Sequence, residues 1–219
     1  MADVSRLLDT HVSGCAAAHQ RLLSSLDGLT NDECREPSLL PGWSRGHVLT
    51  HIARNADSHT HLLTAAGTGD IAEQYPGGVE ARNRAIEDGS NRLAADLTKD
   101  VRASIYALEA AWASATPITW AGEGRSSSGA VIPISDIVFL RWREVEVHHA
   151  DLGREFHWQD WSTLYVRLEL DRQIMIWRSR KPMGLTIVPE AARHLPPAQR
   201  LAWLLGRVDV DGLAKPDPF

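Results

Sequence analysis

Four long helical stretches, the first with apolar residues at spacings of three and four, occupy the first 153 residues of this 219-residue chain. Each stretch makes a helix with one apolar stripe, and four such stripes bury one another by closing into a bundle. The first runs from Val4 to Leu26, where Leu7, Leu8, His11, Cys15, Ala18, Leu22 and Leu26 share a face and Asp27-Gly28 ends the helix. A connector from Thr30 to Trp43 holds Pro37, Pro41 and Gly42. Ser44 then caps a second helix over Arg45 to Ala66, stopped by Gly67 and Gly69. After the loop Tyr75-Pro-Gly-Gly78, a short helical piece spans Val79 to Asp88 and a third long helix spans Asn91 to Ser114. Thr116 to Pro133 reads as irregular or hairpin-like. Ser135 is expected to cap the fourth long helix, which ends at Asp151 before Leu152-Gly153.

The remainder is patterned differently. Asp160 to Arg178 reads as an amphipathic helix, with Leu164, Leu168, Ile174 and Trp177 available for a core. Gly184 to Val188 is β-prone, and the strand is expected over Leu185 to Val188. Pro196-Pro197 opens a last helix reaching Leu205, and a polar tail follows Val208. The expected fold is mainly α: a four-helix bundle over residues 1–153 and a small C-terminal α/β unit over 154–219. The second piece is too small to be stable alone.

Composition narrows the function. Hydrophobic residues make up 43% and charged residues 23%, which is ordinary for a folded domain, and the net charge of -5 disfavours nucleic acid as a partner. The chain lacks an apolar run long enough to cross a membrane, and Met1 to Thr10 lack the basic start and apolar core of a signal peptide, so a cytoplasmic location is expected. Oligomeric state is not legible. The two cysteines, Cys15 and Cys34, sit in no CxxC motif and beside no histidine, and read as small buried thiols. The several tryptophans, Trp43, Trp142, Trp158, Trp161 and Trp177 among them, read as core packing.

Ten histidines are many for this length, and their spacing is informative. Glu144 and His148 are four apart on the fourth bundle helix and share a face; His47 and His51 do the same on the second. One histidine of the second helix with Glu144 and His148 makes a His₂Glu set, the three-ligand pattern of a catalytic zinc site with an open position. Asp151, three residues past His148, is placed to orient its imidazole. His149 points away from that face, Glu146 reads as a salt-bridging or solvated residue, and His11, His19, His59, His61, His157 and His194 read as surface or boundary residues.

These residues carry a resemblance. Leu40-Pro-Gly-Trp43-Ser-Arg-Gly-His47-Val-Leu-Thr-His51 resembles the second-helix motif of the DinB-like bundle in mycothiol-dependent maleylpyruvate isomerases. Arg143-Glu144-Val-Glu-Val-His148-His-Ala-Asp151-Leu-Gly153 resembles their fourth-helix motif, and Glu80-Ala-Arg82-Asn83 with Gly89-Ser90 resembles a further segment. The resemblance implies a DinB-like bundle in which His51, Glu144 and His148 hold zinc and His47 is a structural neighbour. It also implies an active-site arginine at Leu205-Gly206-Arg207. The C-terminal region reads as shorter than the family's, lacking further strand.

The resemblance implies a small-molecule substrate and a low-molecular-weight thiol cosubstrate. The thiol adds to maleylpyruvate, the resulting single bond rotates, and elimination gives fumarylpyruvate. Arg207 is then catalytic, and Arg82 binds the cosubstrate or the substrate carboxylates. Mycothiol is the thiol the family implies; no motif identifies it, and ergothioneine, bacillithiol and glutathione stay open. A shortened second domain would suit a zinc-dependent thiol S-transferase acting on electrophiles. A non-enzymatic metal-binding bundle and a plain interaction module are further alternatives, and the absence of a fourth side-chain ligand from the motif weighs against a purely structural zinc.

Overall fold

The computed structural model describes residues 2–180 and 186–216, with side chains from residue 6 onward. The chain divides into two compact units, Met1–Glu155 and Phe156–Phe219.

In the first unit, the long helices α1 (Ala2–Ser25), α3 (Arg45–Gly67), α5 (Ala94–Ser114) and α7 (Ile134–Asp151) form the bundle. The short helices α2 (Asn31–Arg35), α4 (Gly78–Gly89) and α6 (Pro117–Ala121) lie in the connections. The helix α3 packs on α5 and α7, and α1 packs on α7 and α5, so the four close in a ring. Leu22 and Leu26, Leu49 and Ile52, Leu97, Ile105 and Leu108, and Trp142 are fully enclosed at the centre. Leu22 and Leu26 belong to the stripe read in the first helix.

Local chemistry fixes the ends of α3 and α7, which carry the candidate site. Ser44 accepts a hydrogen bond from the His47 backbone N–H, and the His47 ring accepts one from the Ser44 N–H. Gly46 lies against the end of α4: a Cβ there would fall 2.0 Å from the Ser90 carbonyl oxygen. At the far end, α7 stops at Leu152, and Gly153 takes a φ of +64°, the left-handed conformation that closes many helices. The start of α7 differs from expectation. Pro133 is its N-cap and makes no side-chain bond, so Ser135 is inside the first turn. Proline fixes the extended φ that precedes a helix, and the preceding strand leads directly into it.

Two features of the connections go beyond the sequence reading. Thr30 caps α2 through a complete capping box with Glu33, inside what reads as an irregular connector. Before α7, β1 (Glu123–Arg125) pairs antiparallel with β2 (Val131–Pro133), so the segment expected to be irregular or hairpin-like contains α6 and a short hairpin.

The second unit contains a 3₁₀ turn (Trp158–Asp160), α8 (Thr163–Ser179), α9 (Glu190–Arg193) and α10 (Pro197–Leu204). Its core joins α8 to α10, where the Trp177 and Trp203 ring centroids are 5.3 Å apart and the Trp203 indole N–H donates to the Ala214 carbonyl at 3.2 Å. Trp161 meets Tyr165 edge-on at 5.9 Å. Of the β-prone segment Gly184 to Val188, with the strand expected over Leu185 to Val188, Gly184 and Leu185 lie outside the described residues, while Thr186 to Val188 have no regular structure. The Trp177 indole N–H donates to the Ile187 carbonyl.

Candidate metal centre

The helices α3 and α7 pack side by side, and α3 presents one residue and α7 two residues of one cluster. His51 is 3% exposed, and its Nε2 lies 3.0 Å from Glu144 Oε2. One turn on, His148 Nε2 lies 3.4 Å from the same oxygen. One potential ligand atom from each of the three residues falls within 4.8 Å of the others. Among the described residues this is the one such group of His, Cys, Asp and Glu side chains. The two imidazoles meet edge-on with centroids 4.6 Å apart, and the Trp43 ring stands edge-on to His51 at 5.7 Å.

The structure separates the two histidines that helical spacing alone left equivalent. His47 is occupied elsewhere: its Nδ1 caps Ser44, and its Nε2 lies 3.2 Å from Glu87 Oε2. Asp151 is buried, and its Oδ2 is 2.9 Å from His148 Nδ1. It fixes the ring with Nε2 directed at the cluster, the role that the spacing of three suggests. Arg82, from α4, donates from Nη2 to His51 Nδ1 at 3.0 Å and from Nη1 to Asn83 at 2.9 Å. Arg207 belongs to the second unit, just after α10, where its Nη1 donates to the Leu205 carbonyl at 2.8 Å.

Burial and hydrogen bonding set the charges. Burial pulls the His51 pKa down to about 4, more than its bond to Glu144 raises it, so the ring is neutral. His148 is half-buried, and bonds to Asp151 and Glu144 outweigh the effect of burial and push it up to about 9. Burial acts to raise Glu144 too, yet the two histidines hold its carboxyl well below the usual range. Two carboxylates, one imidazolium and one neutral imidazole leave these four side chains net negative, with the Arg82 guanidinium against the outer nitrogen of His51. The proton on His148 Nε2 sits where a metal-ligand lone pair belongs, so a cation would enter by displacing it. Two nitrogens and one oxygen, with the second imidazole nitrogen of His148 already anchored, fit a divalent ion of the zinc type.

Two histidines expected at the surface or boundary are interior. His19 is fully buried, and His59 is 3% exposed. His19 Nδ1 lies 2.8 Å from Glu109, and its Nε2 accepts from Arg141 Nε at 3.1 Å. Arg141, also fully buried, donates from Nη1 to the Ile52 carbonyl and to Asn55, both at 2.8 Å. The available signal was position: His19 continues the Cys15-Ala18-Leu22 stripe, and Arg141 precedes Glu144 by three on the same face. Glu146 is enclosed, and accepts from Arg21 at 2.6 Å and from the Trp142 indole at 3.1 Å. Of its two expected settings, the salt bridge is the one found.

Comparison with known proteins agrees with this geometry. No curated protein sequence matches the chain. Two solved structures do: the mycothiol-dependent maleylpyruvate isomerase, at 25% identity and a TM-score of 0.84, and a histidine-to-alanine mutant of the mycothiol-dependent maleylpyruvate isomerase, at 24% and 0.85. Each match covers 97% of both chains. The C-terminal region is therefore not shortened relative to these structures, contrary to expectation, and the transferase reading loses the feature that favoured it. Residues 15–153 match the family described as the mycothiol maleylpyruvate isomerase N-terminal domain. On that match, which spans the whole candidate metal centre, the chain belongs to the mycothiol maleylpyruvate isomerase family.

Proposed function

We propose that this protein is a zinc- and thiol-dependent cis-trans isomerase that converts maleylpyruvate to fumarylpyruvate, with mycothiol as the thiol. The observation that carries the proposal is the convergence of His51, Glu144 and His148 within a bundle of this family. These three residues would hold the metal. A divalent cation there supplies an electrophilic position that favours the thiolate over the thiol at neutral pH. The cytoplasm, where low-molecular-weight thiols are kept reduced, is the corresponding location.

The reaction is thiolate addition to the conjugated double bond, rotation about the single bond so formed, and expulsion of the thiolate as the double bond returns. No proton is gained or lost overall. The chain's own contribution is electrostatic. Asp151 and Glu144 keep His148 in one orientation. Burial keeps His51 neutral, so the ring carries no charge that would repel a cation. Addition places negative charge on the ketone oxygen of an enolate flanked by carboxylates. Arg82, beside His51, and Arg207, in the second unit, are the groups we assign to balance that charge.

A spectrophotometric isomerase assay on zinc-loaded protein, run with maleylpyruvate and a panel of thiols, tests this reading. Turnover with mycothiol, lost in His51→Ala, is expected. Stoichiometric zinc with no turnover by any thiol would overturn it and direct attention to S-transfer onto electrophiles.

A further inference from the structure

The three clustered ligands come from two helices, and only one of their spacings is set within a helix. Glu144 and His148 are one turn apart on α7, so helical geometry fixes their separation. His51 meets Glu144 across the α3–α7 seam at 3.0 Å. That distance holds only while the two helices keep both their separation and their register. Apolar packing fixes register poorly, since packed helices can slide past one another.

Two arginines cross the seam, one on each side of the cluster. Arg45, the first residue of α3, donates from Nε to the Leu152 carbonyl at 2.7 Å and from Nη2 to the Gly153 carbonyl at 3.2 Å. These carbonyls close α7 just past His148, where no further helical turn supplies a donor. Arg141, one turn before Glu144 on α7, reaches the opposite way. Its Nη1 donates to the Ile52 carbonyl, next to His51, and to Asn55 one turn further along α3, both at 2.8 Å. Its Nε holds His19 of α1 at 3.1 Å. Arg141 is fully buried, yet the groups it bonds are a carbonyl, an amide and an imidazole. The guanidinium is spent on geometry rather than on pairing charge. Its donors lie in one plane in fixed directions, so a bond to each helix sets register as well as distance.

We propose that Arg45 and Arg141 are positioning residues that preset the metal centre. They lock the α3–α7 register on both sides of His51, Glu144 and His148, so the three side chains stand in place before a cation arrives. Neither arginine is itself a ligand. The proposal rests on the metal reading given above.

Zinc affinity by chelator competition and the visible spectrum of the cobalt(II)-substituted protein test it, with urea unfolding run beside them. Arg45→Met and Arg141→Met are each expected to lower zinc affinity about tenfold, the low end of what loss of an orienting partner costs, and to weaken the tetrahedral cobalt band. Arg141→Lys keeps the charge but loses the fork, so it is expected to restore little. If Arg141→Met does not fold, Asn55→Ala removes one acceptor and leaves the cation, and is expected to act in the same direction to a lesser extent. Leu108→Ala, in the core on α5, which carries no ligand, is expected to cost stability while leaving zinc affinity and the cobalt band unchanged. Unchanged zinc affinity in both arginine variants would overturn the proposal, as would an equal loss in Leu108→Ala. Tighter zinc in Arg141→Met would also overturn it, because the repulsion of a buried cation would then outweigh any bracing. Failure of wild type to hold zinc would overturn the metal reading instead. Hydrogen exchange of the metal-free protein then decides the brace: the amides of residues 145–152 are expected to exchange faster in Arg45→Met than in Leu108→Ala, and equal rates would overturn it.

Discussion

The bundle encloses two histidine–carboxylate clusters that share helix α7. In the first, His19 bonds to Glu109, and Arg141 fills the remaining side of the ring, with Cys15 Sγ 3.8 Å from the same nitrogen. In the second, His51 and His148 both turn toward one oxygen of Glu144. Arginine makes the difference. In the first cluster a permanent cation occupies the position facing His19 Nε2, and the cluster is complete. In the second, Arg82 meets only the outer nitrogen Nδ1 of His51, and the imidazole nitrogens that converge on Glu144 face no arginine, so the cluster accepts a cation there. Similar residues on neighbouring turns thus make a buried strut in one place and a binding site in the other.

The largest expected effect separates the clusters by what each loses. Glu144→Ala should lower zinc affinity by more than the about 10–100-fold that loss of an orienting partner costs, and Asp151→Asn should fall within that range. Equilibrium competition with a chelator measures both. Retained zinc affinity in Glu144→Ala would erase the contrast. Next, Arg141→Met should destabilise the protein by about 3–5 kcal/mol in urea unfolding, because it strips the partner from buried polar groups. A loss below about 1 kcal/mol would mean that the first cluster is not a strut.

A smaller effect follows from protonation. His19, His51 and His59 are held neutral by burial, at about 4, 4 and 3. The unfolded chain takes up protons on them near pH 6.5, so stability falls as pH drops from about 6.5 through about 4. His148, raised to about 9, works the other way: its contribution is complete below about 6.5 and is lost as pH rises through 9. Metal-free protein should be most stable near pH 6.5, with the acid limb the steeper; urea titrations across pH 4 to 9 would show it. A flat profile would contradict these assignments. The smallest effect concerns Cys15 and Cys34. Burial raises both thiols, so neither should react with a disulfide reagent faster than the protein unfolds.

Helical periodicity made α1, α3, α5 and α7 legible, and the spacing of four made Glu144 and His148 partners before any contact was known. Spacing left His47 and His51 equivalent, since both occupy the same face of α3. A capping bond decided between them by turning His47 back to Ser44. The strand expected at 185–188 rested on composition alone, and short apolar runs carry no period that separates strand from coil.

What the sequence by itself determined is local: which residues share a helix face, where caps and glycines stop each helix, and that two carboxylate or imidazole ligands on one helix can serve one ion. What only the tertiary structure decided is which faces meet. His19 and Arg141 became interior, His51 met Glu144 across 93 residues of chain, and Arg82 came to lie against a ring nitrogen. Those outcomes depend on how α1, α3, α4 and α7 pack, and packing is a property of all the stripes together. No single helix encodes it.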